Sequence, residues 1–307
     1  MTESDTPNLD ERLKAWLGSE GYPLEFYVAS LFQQEGFHVF QGMHIQDNEA
    51  KKAREVDVLA HADTWFNRDV LLRLEYVVEC KWTQDKPWVI FTSRHGRIAP
   101  PACVAQTIAS KLGEAILWAK AGEAALHATG AFSAPDSPGF SGRQAFSKSG
   151  DVFYATMQAV VNKAHLIAKS YDSREQYATL PRLSSVLFPV IVIDGQLFKA
   201  SYATSPDQLE LEEVPEVRLH WKGSDVWQLH ATVDIVTKGH LSEFLARCHT
   251  DRPILETQMK KGCEEIVECF TRGDLEALKV TPGGRGVVGL PRLLHELVES
   301  KSDSDNH

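Results

Sequence analysis

Two neighbouring segments organise this sequence, and they read REVDVLA at residues 54–60 and LLRLEYVVECKW at residues 71–82. Both are rich in apolar and β-branched residues, which favour strands. Successive side chains of a strand point to opposite faces, so the first segment places Val56 on one face and Asp57 on the other. The polar segment between them, residues 63–69, predicts a turn. We therefore expect two antiparallel strands that form a hairpin.

The centre of this hairpin predicts which residues face each other. A turn centred on Arg68, within the most turn-like part of the connecting segment, Asn67-Arg68-Asp69, pairs Asp57 with Glu79. Two carboxylates held side by side raise one pKa or need a cation between them, and a hard divalent cation with oxygen ligands fits that need. Lys81 shares the face of Glu79, because residues two apart in a strand point the same way. The Cys80 side chain points to the opposite face, so only its main-chain carbonyl could reach a metal.

The flanking segments predict the element order helix, strand, strand, strand, helix, strand. Asn8 is placed to cap a short amphipathic helix. Pro23 opens a second helix at its first turn, and Gly36 ends it. Apolar periodicity and turn residues predict the rest: a strand over 37–45, a helix over 102–125, a mobile surface loop over 128–150, a helix over 153–168, a strand over 187–193, and its hairpin partner over 196–202 across Asp194-Gly195.

The pattern changes after residue 205. We expect a core domain over residues 1–204 and an accessory α+β region over 205–307 that packs on it. The elements expected in this region are strands over 216–221 and 227–237, helices near 240–248, 253–271 and 290–299, and a disordered tail from about residue 300.

The constellation resembles the PD-(D/E)XK nuclease superfamily of restriction-endonuclease-like proteins. The resemblance rests on Glu25 in the second helix, on REVD at residues 54–57 and on VECK at residues 78–81, and it covers about residues 20–200. Val56 stands where the family name has proline. The resemblance implies an α/β restriction-endonuclease-like core, with the order α-β-β-β-α-β and a mixed sheet flanked by helices.

The same resemblance implies the roles of the site residues. Asp57 and Glu79 would be the metal ligands together with the main-chain carbonyl of Cys80, Lys81 the catalytic lysine, and Glu25 an auxiliary catalytic carboxylate. Members of the superfamily cleave DNA, less often RNA, and usually use magnesium, with Mn²⁺ as an alternative. The implied activity is metal-dependent hydrolysis of phosphodiester bonds.

Simpler interpretations stand beside this one. The charged face could be the solvated side of an ordinary hairpin, with Glu55 and Lys81 as a cross-strand ion pair. Glu25 could be a first-turn glutamate that complements the helix dipole. A nuclease fold kept only for nucleic-acid binding or for scaffolding is a further alternative.

Four other residues are candidates for contacts with nucleic acid. Arg94 and Arg97 follow the third strand and could contact phosphates. Gln158 and Lys163 lie on the long helix over 153–168 and could face the substrate, although a solvated helix face explains them as well.

The composition limits the classes of function. The chain has 307 residues and a formal net charge of −10, which argues against a protein that coats nucleic acid through a general positive field. A local basic cleft or a protein partner, including a second copy in a homodimer, would then deliver the substrate, as in a partner-dependent defence nuclease. The first residues lack the apolar stretch of a secretion signal, and no apolar run is long enough for a membrane span, so we expect a cytoplasmic protein without membrane contact.

Overall fold

The computed structural model describes residues 8–19, 21–47, 51–66, 70–83, 86–93, 98–147, 152–172, 182–202, 208–222 and 230–272. The helices in this part of the chain are α1 (Leu9–Ser19), α2 (Tyr22–Gln34), α3 (Pro100–Ala105), α4 (Lys111–Lys120), α5 (Ala124–His127), α6 (Val152–Tyr171) and α7 (Leu241–Arg272). The strands are β1 (His38–Asp47), β2 (Lys52–Trp65), β3 (Val70–Trp82), β4 (Trp88–Thr92), β5 (Ile108–Ala109), β6 (Gly139–Gln144), β7 (Arg182–Asp194), β8 (Leu197–Tyr202), β9 (Leu209–Glu213), β10 (Glu216–Lys222) and β11 (His230–Thr237).

These strands join in one mixed sheet. Their order is β1-β2-β3-β7-β11-β10-β6-β4-β8-β9, and β5 adds a short pairing to β7. The strands β1, β2 and β3 are successively antiparallel, whereas β3, β7 and β11 run parallel to one another. Parallel strands need crossover connections, and the connection from β3 to β7 contains the helices α3, α4, α5 and α6.

Helices cover both faces of this sheet, so the chain is a mixed α/β protein. Buried residues of α2, α4 and α7 form one apolar cluster with alternate residues of β2, β3 and β7. The apolar face of α6 forms a second cluster on the opposite side, against the other residues of these strands and against β4, β10 and β11. Buried on both faces, β7 is apolar along most of its length, as expected of a central strand.

The start of α2 follows the sequence prediction. Gly21 precedes it with a φ of 86°, a left-handed conformation that glycine adopts without strain, and Pro23 lies in the first turn. Val28 and Phe32 are buried against the sheet. This packing holds the first turn of α2, which carries Glu25, close to one end of β2 and β3.

The single helix predicted over residues 102–125 is wrong. The segment is divided into α3, β5, α4 and α5, because β5 leaves the helical path to pair with β7. Ser110 then caps α4: its hydroxyl accepts hydrogen bonds from the N–H of Gly113 at 3.4 Å and from the N–H of Ser185 at 3.0 Å. The pairing of β5 with the distant strand β7 therefore overrides the helical periodicity of this segment.

The loop predicted over residues 128–150 contains a strand. Within it, β6 lies between β4 and β10 in the sheet. Glycine is required there, because a Cβ on Gly142 would lie 2.8 Å from the Ile90 Cδ1 atom and 2.8 Å from the Phe153 Cε2 atom. The glycines that indicate a loop therefore allow close packing instead.

The hairpin predicted across Asp194-Gly195 is also wrong. One edge of β7 is occupied by β3 and the other by β11, so β7 offers no long edge to the strand that follows it. The returning strand, β8, pairs with β4 and β9 instead. The backbone N–H of Trp88 donates to the Gln196 carbonyl at 3.0 Å and joins the start of β4 to this connection.

The residues after 205 do not simply pack on the sheet, because their strands belong to it. Residues Asp234–Thr237 of β11 pair with Val190–Ile193 of β7 in parallel. The two helices predicted over 240–248 and 253–271 are one helix, α7, which contains Pro253. The helix expected near 290–299 and the tail lie outside the described residues. None of the helices within the described ranges is long and apolar enough to span a membrane.

Candidate active site

The register of β2 and β3 brings Asp57 and Glu79 together. The paired residues run from Trp65 and Leu71 at the turn to Val58 and Val78, with the register that the sequence predicts. Asp57 and Glu79 are the next residues in that register. At this point the carboxylate of Asp57 accepts a hydrogen bond of 2.8 Å from the backbone N–H of Cys80, so a side chain replaces the backbone partner of that N–H.

The carboxylate of Glu79 is the most enclosed acid of the site. Only 6% of Glu79 is exposed. Its Oε1 atom accepts a hydrogen bond of 2.7 Å from Lys81 Nζ. Burial opposes the charged ammonium of Lys81, but the charges of Glu79 and Asp57 outweigh burial and raise the pKa of Lys81. Lys81 therefore stays a cation beside the carboxylates.

A second lysine reaches the same carboxylates from α6. Lys163 is 6% exposed, and its Nζ atom donates a short hydrogen bond to Glu79 Oε2. The same Nζ atom lies 3.9 Å from Asp57 Oδ1. One ammonium thus lies within ion-pair distance of both acids.

Glu25 approaches this group from α2 on the other side of the sheet. The side chain is partly buried. Burial and the negative charges of Asp57 and Glu55 raise the pKa of Glu25 to about 7. Burial and the charge of Glu79 likewise raise the pKa of Asp57. In both cases burial is the first cause of the raised pKa, and the charges of neighbouring carboxylates add to it.

Some of the predicted residues are not brought to the site. Gln158 is exposed on α6, and at about 100° per residue it lies on a different side of that helix from Lys163. Arg94 and Arg97 lie outside the described residues. Lys81 forms its ion pair with Glu79 of its own strand, and Glu55 is exposed.

A signal for Lys163 was present in the sequence. Lys163 lies three residues after Val160 and four before Ile167, which places it on the buried face of the helix. A charged residue at that position needs a buried partner of opposite charge, since a lysine is rarely enclosed without one. The solvated-face interpretation of Lys163 is therefore wrong.

The donor atoms of the site suit a hard cation. Among the described residues, no group of three or more His, Cys, Asp or Glu side chains is arranged to hold a metal ion. The site offers two carboxylates, and we expect the Cys80 carbonyl to point toward Asp57 as its N–H does, because both groups of one strand residue face the same neighbour. Oxygen donors of this kind, completed by water, fit Mg²⁺, which usually keeps several water ligands.

The surroundings of the site include a second buried acid on β3. Glu75 is fully buried and accepts hydrogen bonds from Ser185 Oγ at 2.6 Å and from the Tyr171 hydroxyl at 3.0 Å. Tyr171 is the last residue of α6, so this contact holds the helix that carries Lys163 against β3.

No family model, curated protein or solved structure matches this chain.

Proposed function

We propose that this chain is a metal-dependent nuclease of the PD-(D/E)XK, restriction-endonuclease-like type, which hydrolyses phosphodiester bonds in DNA. The observation that carries the proposal is that the Lys163 ammonium lies within ion-pair distance of both Asp57 and Glu79, while Lys81 Nζ lies 2.7 Å from Glu79 Oε1. Two acids and a lysine on adjacent strands are the group that the sequence pattern predicts for this chemistry.

The element order supports the same proposal. The helix α2 precedes the antiparallel strands β1, β2 and β3, helices follow, and β7 then pairs with β3 in parallel. This order contains the α-β-β-β-α-β sequence of elements expected of a restriction-endonuclease-like core. The strands β4, β6, β8, β9, β10 and β11 would then be additions to that core.

Asp57, Glu79 and the Cys80 carbonyl would hold the metal ion. A bound Mg²⁺ or Mn²⁺ lowers the pKa of a coordinated water and polarises a phosphate oxygen. The ammonium of Lys81 can orient that water and stabilise the charge that develops on the phosphate. Glu25 would be the auxiliary carboxylate; in the metal-free protein burial and the charges of Asp57 and Glu55 raise its pKa to about 7.

A partner-dependent form of the same activity has support from one surface. The predicted apolar stripe of α1 is exposed, with Leu9 68%, Leu13 48% and Trp16 52% accessible. Exposed apolar residues grouped on one helix are typical of protein interaction sites. The net charge of −10 also disfavours strong binding of nucleic acid by this chain alone.

The proposal is tested by cleavage of plasmid and linear DNA, with RNA in parallel, in MgCl₂ or in EDTA. We expect cleavage only with the metal, and loss of cleavage in Asp57→Asn, which keeps an oxygen to accept the Cys80 N–H. The matched control is Asp10→Asn, because Asp10 is exposed on α1 and pairs only with Lys14 among the ion pairs of the described residues. Cleavage by Asp57→Asn at the wild-type rate would refute the nuclease proposal. A wild-type protein that binds Mg²⁺ through Asp57 but never cleaves would favour the partner-dependent form.

A further inference from the structure

Glu79 is bound by two lysines that approach from different directions. Lys81 Nζ lies 2.7 Å from Oε1, and the Lys81 side chain is 31% exposed. Lys163 Nζ contacts Oε2, and the Lys163 side chain is only 8% exposed. Lys81 therefore reaches the carboxylate from the solvent side, and Lys163 reaches it from the buried face of α6.

The two lysines also differ in what they bridge. The ammonium of Lys163 contacts Glu79 and lies within ion-pair distance, 3.9 Å, of Asp57. A divalent ion shared by these two carboxylates would have to occupy the same region. Two cations a few ångströms apart repel strongly where water is largely excluded, so the ammonium and a metal ion compete for the pair of acids.

We propose that Lys163 is an internal counterion, which occupies the place of the metal in the metal-free protein and must be displaced when a divalent ion binds. This inference rests on the proposed function, because it assigns a role toward the metal bound by Asp57 and Glu79. Lys163 is thus a positioning residue: it keeps two buried acids together in the absence of the metal, and it sets how much Mg²⁺ is needed to load the site.

This role follows from the cost of enclosing charge. Two carboxylates without a cation would repel one another, and each would lose hydration. An ammonium held by α6 offsets that cost before any metal arrives. The displaced ammonium would then lie beside the metal site, where an anionic phosphate group is expected.

If Lys163 had a purely structural role, its loss would change the metal affinity in the opposite direction. If Lys163 only holds α6 against the sheet, its loss should disturb Asp57 and Glu79 and weaken metal binding. If it is a competing counterion, its loss should strengthen metal binding even though the metal-free protein becomes less stable. The sign of the change in metal affinity distinguishes the two roles.

The experiment is calorimetric titration of the metal-free, full-length protein with MgCl₂ and then with MnCl₂. Lys163→Met removes the charge at similar length, and Lys163→Gln keeps a hydrogen-bond donor for Glu79, so that at least one variant tolerates the buried position. Lys169→Met is the matched control, since Lys169 is an exposed lysine of the same helix. We expect both Lys163 variants to bind Mg²⁺ about tenfold or more tightly than the wild type, because a repelling charge is removed, and Lys169→Met to bind as the wild type does.

A measurement on the wild type avoids any dependence on variants. Acetylation of lysines, read by mass spectrometry, should leave Lys163 protected in EDTA and modify it when Mg²⁺ saturates the site. The inference is overturned if the Lys163 variants bind Mg²⁺ equally or more weakly while Asp57→Asn abolishes binding, or if Lys163 stays protected at saturation; the metal site itself then stands. If the wild type, both Lys163 variants and Lys169→Met all bind neither metal, the inference and the proposed metal site fail together.

Discussion

At the scale of single residues, Asp57 has a structural role in the sheet and a proposed role as a metal ligand. Its carboxylate completes the hydrogen bonding of β3 through the Cys80 N–H at 2.8 Å, and burial together with Glu79 raises its pKa. A residue with these two roles is poorly tested by alanine, which would remove the acceptor and the proposed metal ligand at once. Asparagine separates the roles, because it keeps an oxygen but loses the charge.

Substitutions of Asp57 and of Lys81 should have different effects on Mg²⁺ binding and on cleavage. Asp57→Asn should weaken Mg²⁺ binding and abolish cleavage, because a charged ligand is lost. Lys81→Ala should leave Mg²⁺ binding intact or tighter, while cleavage falls by about two orders of magnitude or more. The measurements are calorimetric Mg²⁺ titration and the initial rate of DNA cleavage, with Lys169→Ala as the control. Unchanged cleavage in Lys81→Ala would remove this lysine from the mechanism.

The buried Glu75 should make the stability of the protein depend on pH. Burial is the main reason that its pKa is raised from 4.5 to about 7. Below pH 4.5 the group is protonated in both states and contributes nothing. Between pH 4.5 and 7 the unfolded chain releases this proton while the folded protein keeps it. The contribution of Glu75 to the free energy of unfolding therefore becomes less favourable as the pH rises, and it stops changing above pH 7.

Glu75→Gln removes this ionisation. The free energy of unfolding of the variant, relative to the wild type, should therefore increase between pH 5 and pH 8. The measurement is urea denaturation of both proteins at the two pH values. A difference that is the same at both would mean that Glu75 titrates normally in the folded protein.

At the scale of elements, local patterns were predicted well. The hairpin of β2 and β3 depends on two adjacent segments and one turn, so alternation and the turn centre were enough to obtain its register, whose last pair, Val58 and Val78, is adjacent to Asp57 and Glu79. The cap of α1 is equally local: Asn8 Oδ1 accepts the Glu11 N–H at 2.9 Å, and Glu11 Oε2 accepts the Asn8 N–H at 3.0 Å.

Elements that depend on distant partners were predicted poorly. The short strand β5 exists because β7 lies beside it, and β8 leaves β7 because β11 occupies that edge. The position of Lys163 at the site depends on how α6 packs across β3. None of these partners is adjacent in sequence, so periodicity and turn residues contain no information about them.

A side chain at Gly113 should disrupt the contact between α4 and β7. A Cβ there would lie 2.4 Å from the Ser185 carbonyl oxygen, whereas nothing lies within 4 Å of a Cβ on Gly18 of α1. Both glycines are helical, so alanine adds similar helix propensity at each. Gly18→Ala should be neutral or stabilise by up to about 1 kcal/mol, and Gly113→Ala should destabilise by roughly 1–3 kcal/mol. Urea denaturation compares them, and equal effects would contradict the close packing.

At the scale of the whole molecule, the sheet unites the parts of the sequence before and after residue 204. The strand β11 pairs with the central β7, and α7 covers the same face as α2 and α4 with buried residues that include Leu241, Phe244, Leu245, Leu255 and Met259. A boundary near residue 204 therefore divides the sequence but passes through one sheet and one apolar core.

The fragment of residues 1–204 should consequently not fold by itself. Without β11 and α7, one edge of β7 and a large apolar area would be exposed to water. We expect weak amide dispersion in a ¹H–¹⁵N correlation spectrum and no cooperative thermal transition, in contrast to the full chain. A dispersed spectrum with cooperative melting would show that the core is an independent domain.

Asp57 and Glu79 are proposed to bind the divalent ion on which the activity depends. The most direct measurement is a crystal structure of the full chain grown with MnCl₂, with anomalous diffraction to locate manganese. We expect an anomalous peak between these two carboxylates, within bonding distance of an oxygen of each, with Lys163 turned away from Glu79. Manganese bound elsewhere in the crystal, with Lys163 still seated between Asp57 and Glu79, would contradict this assignment.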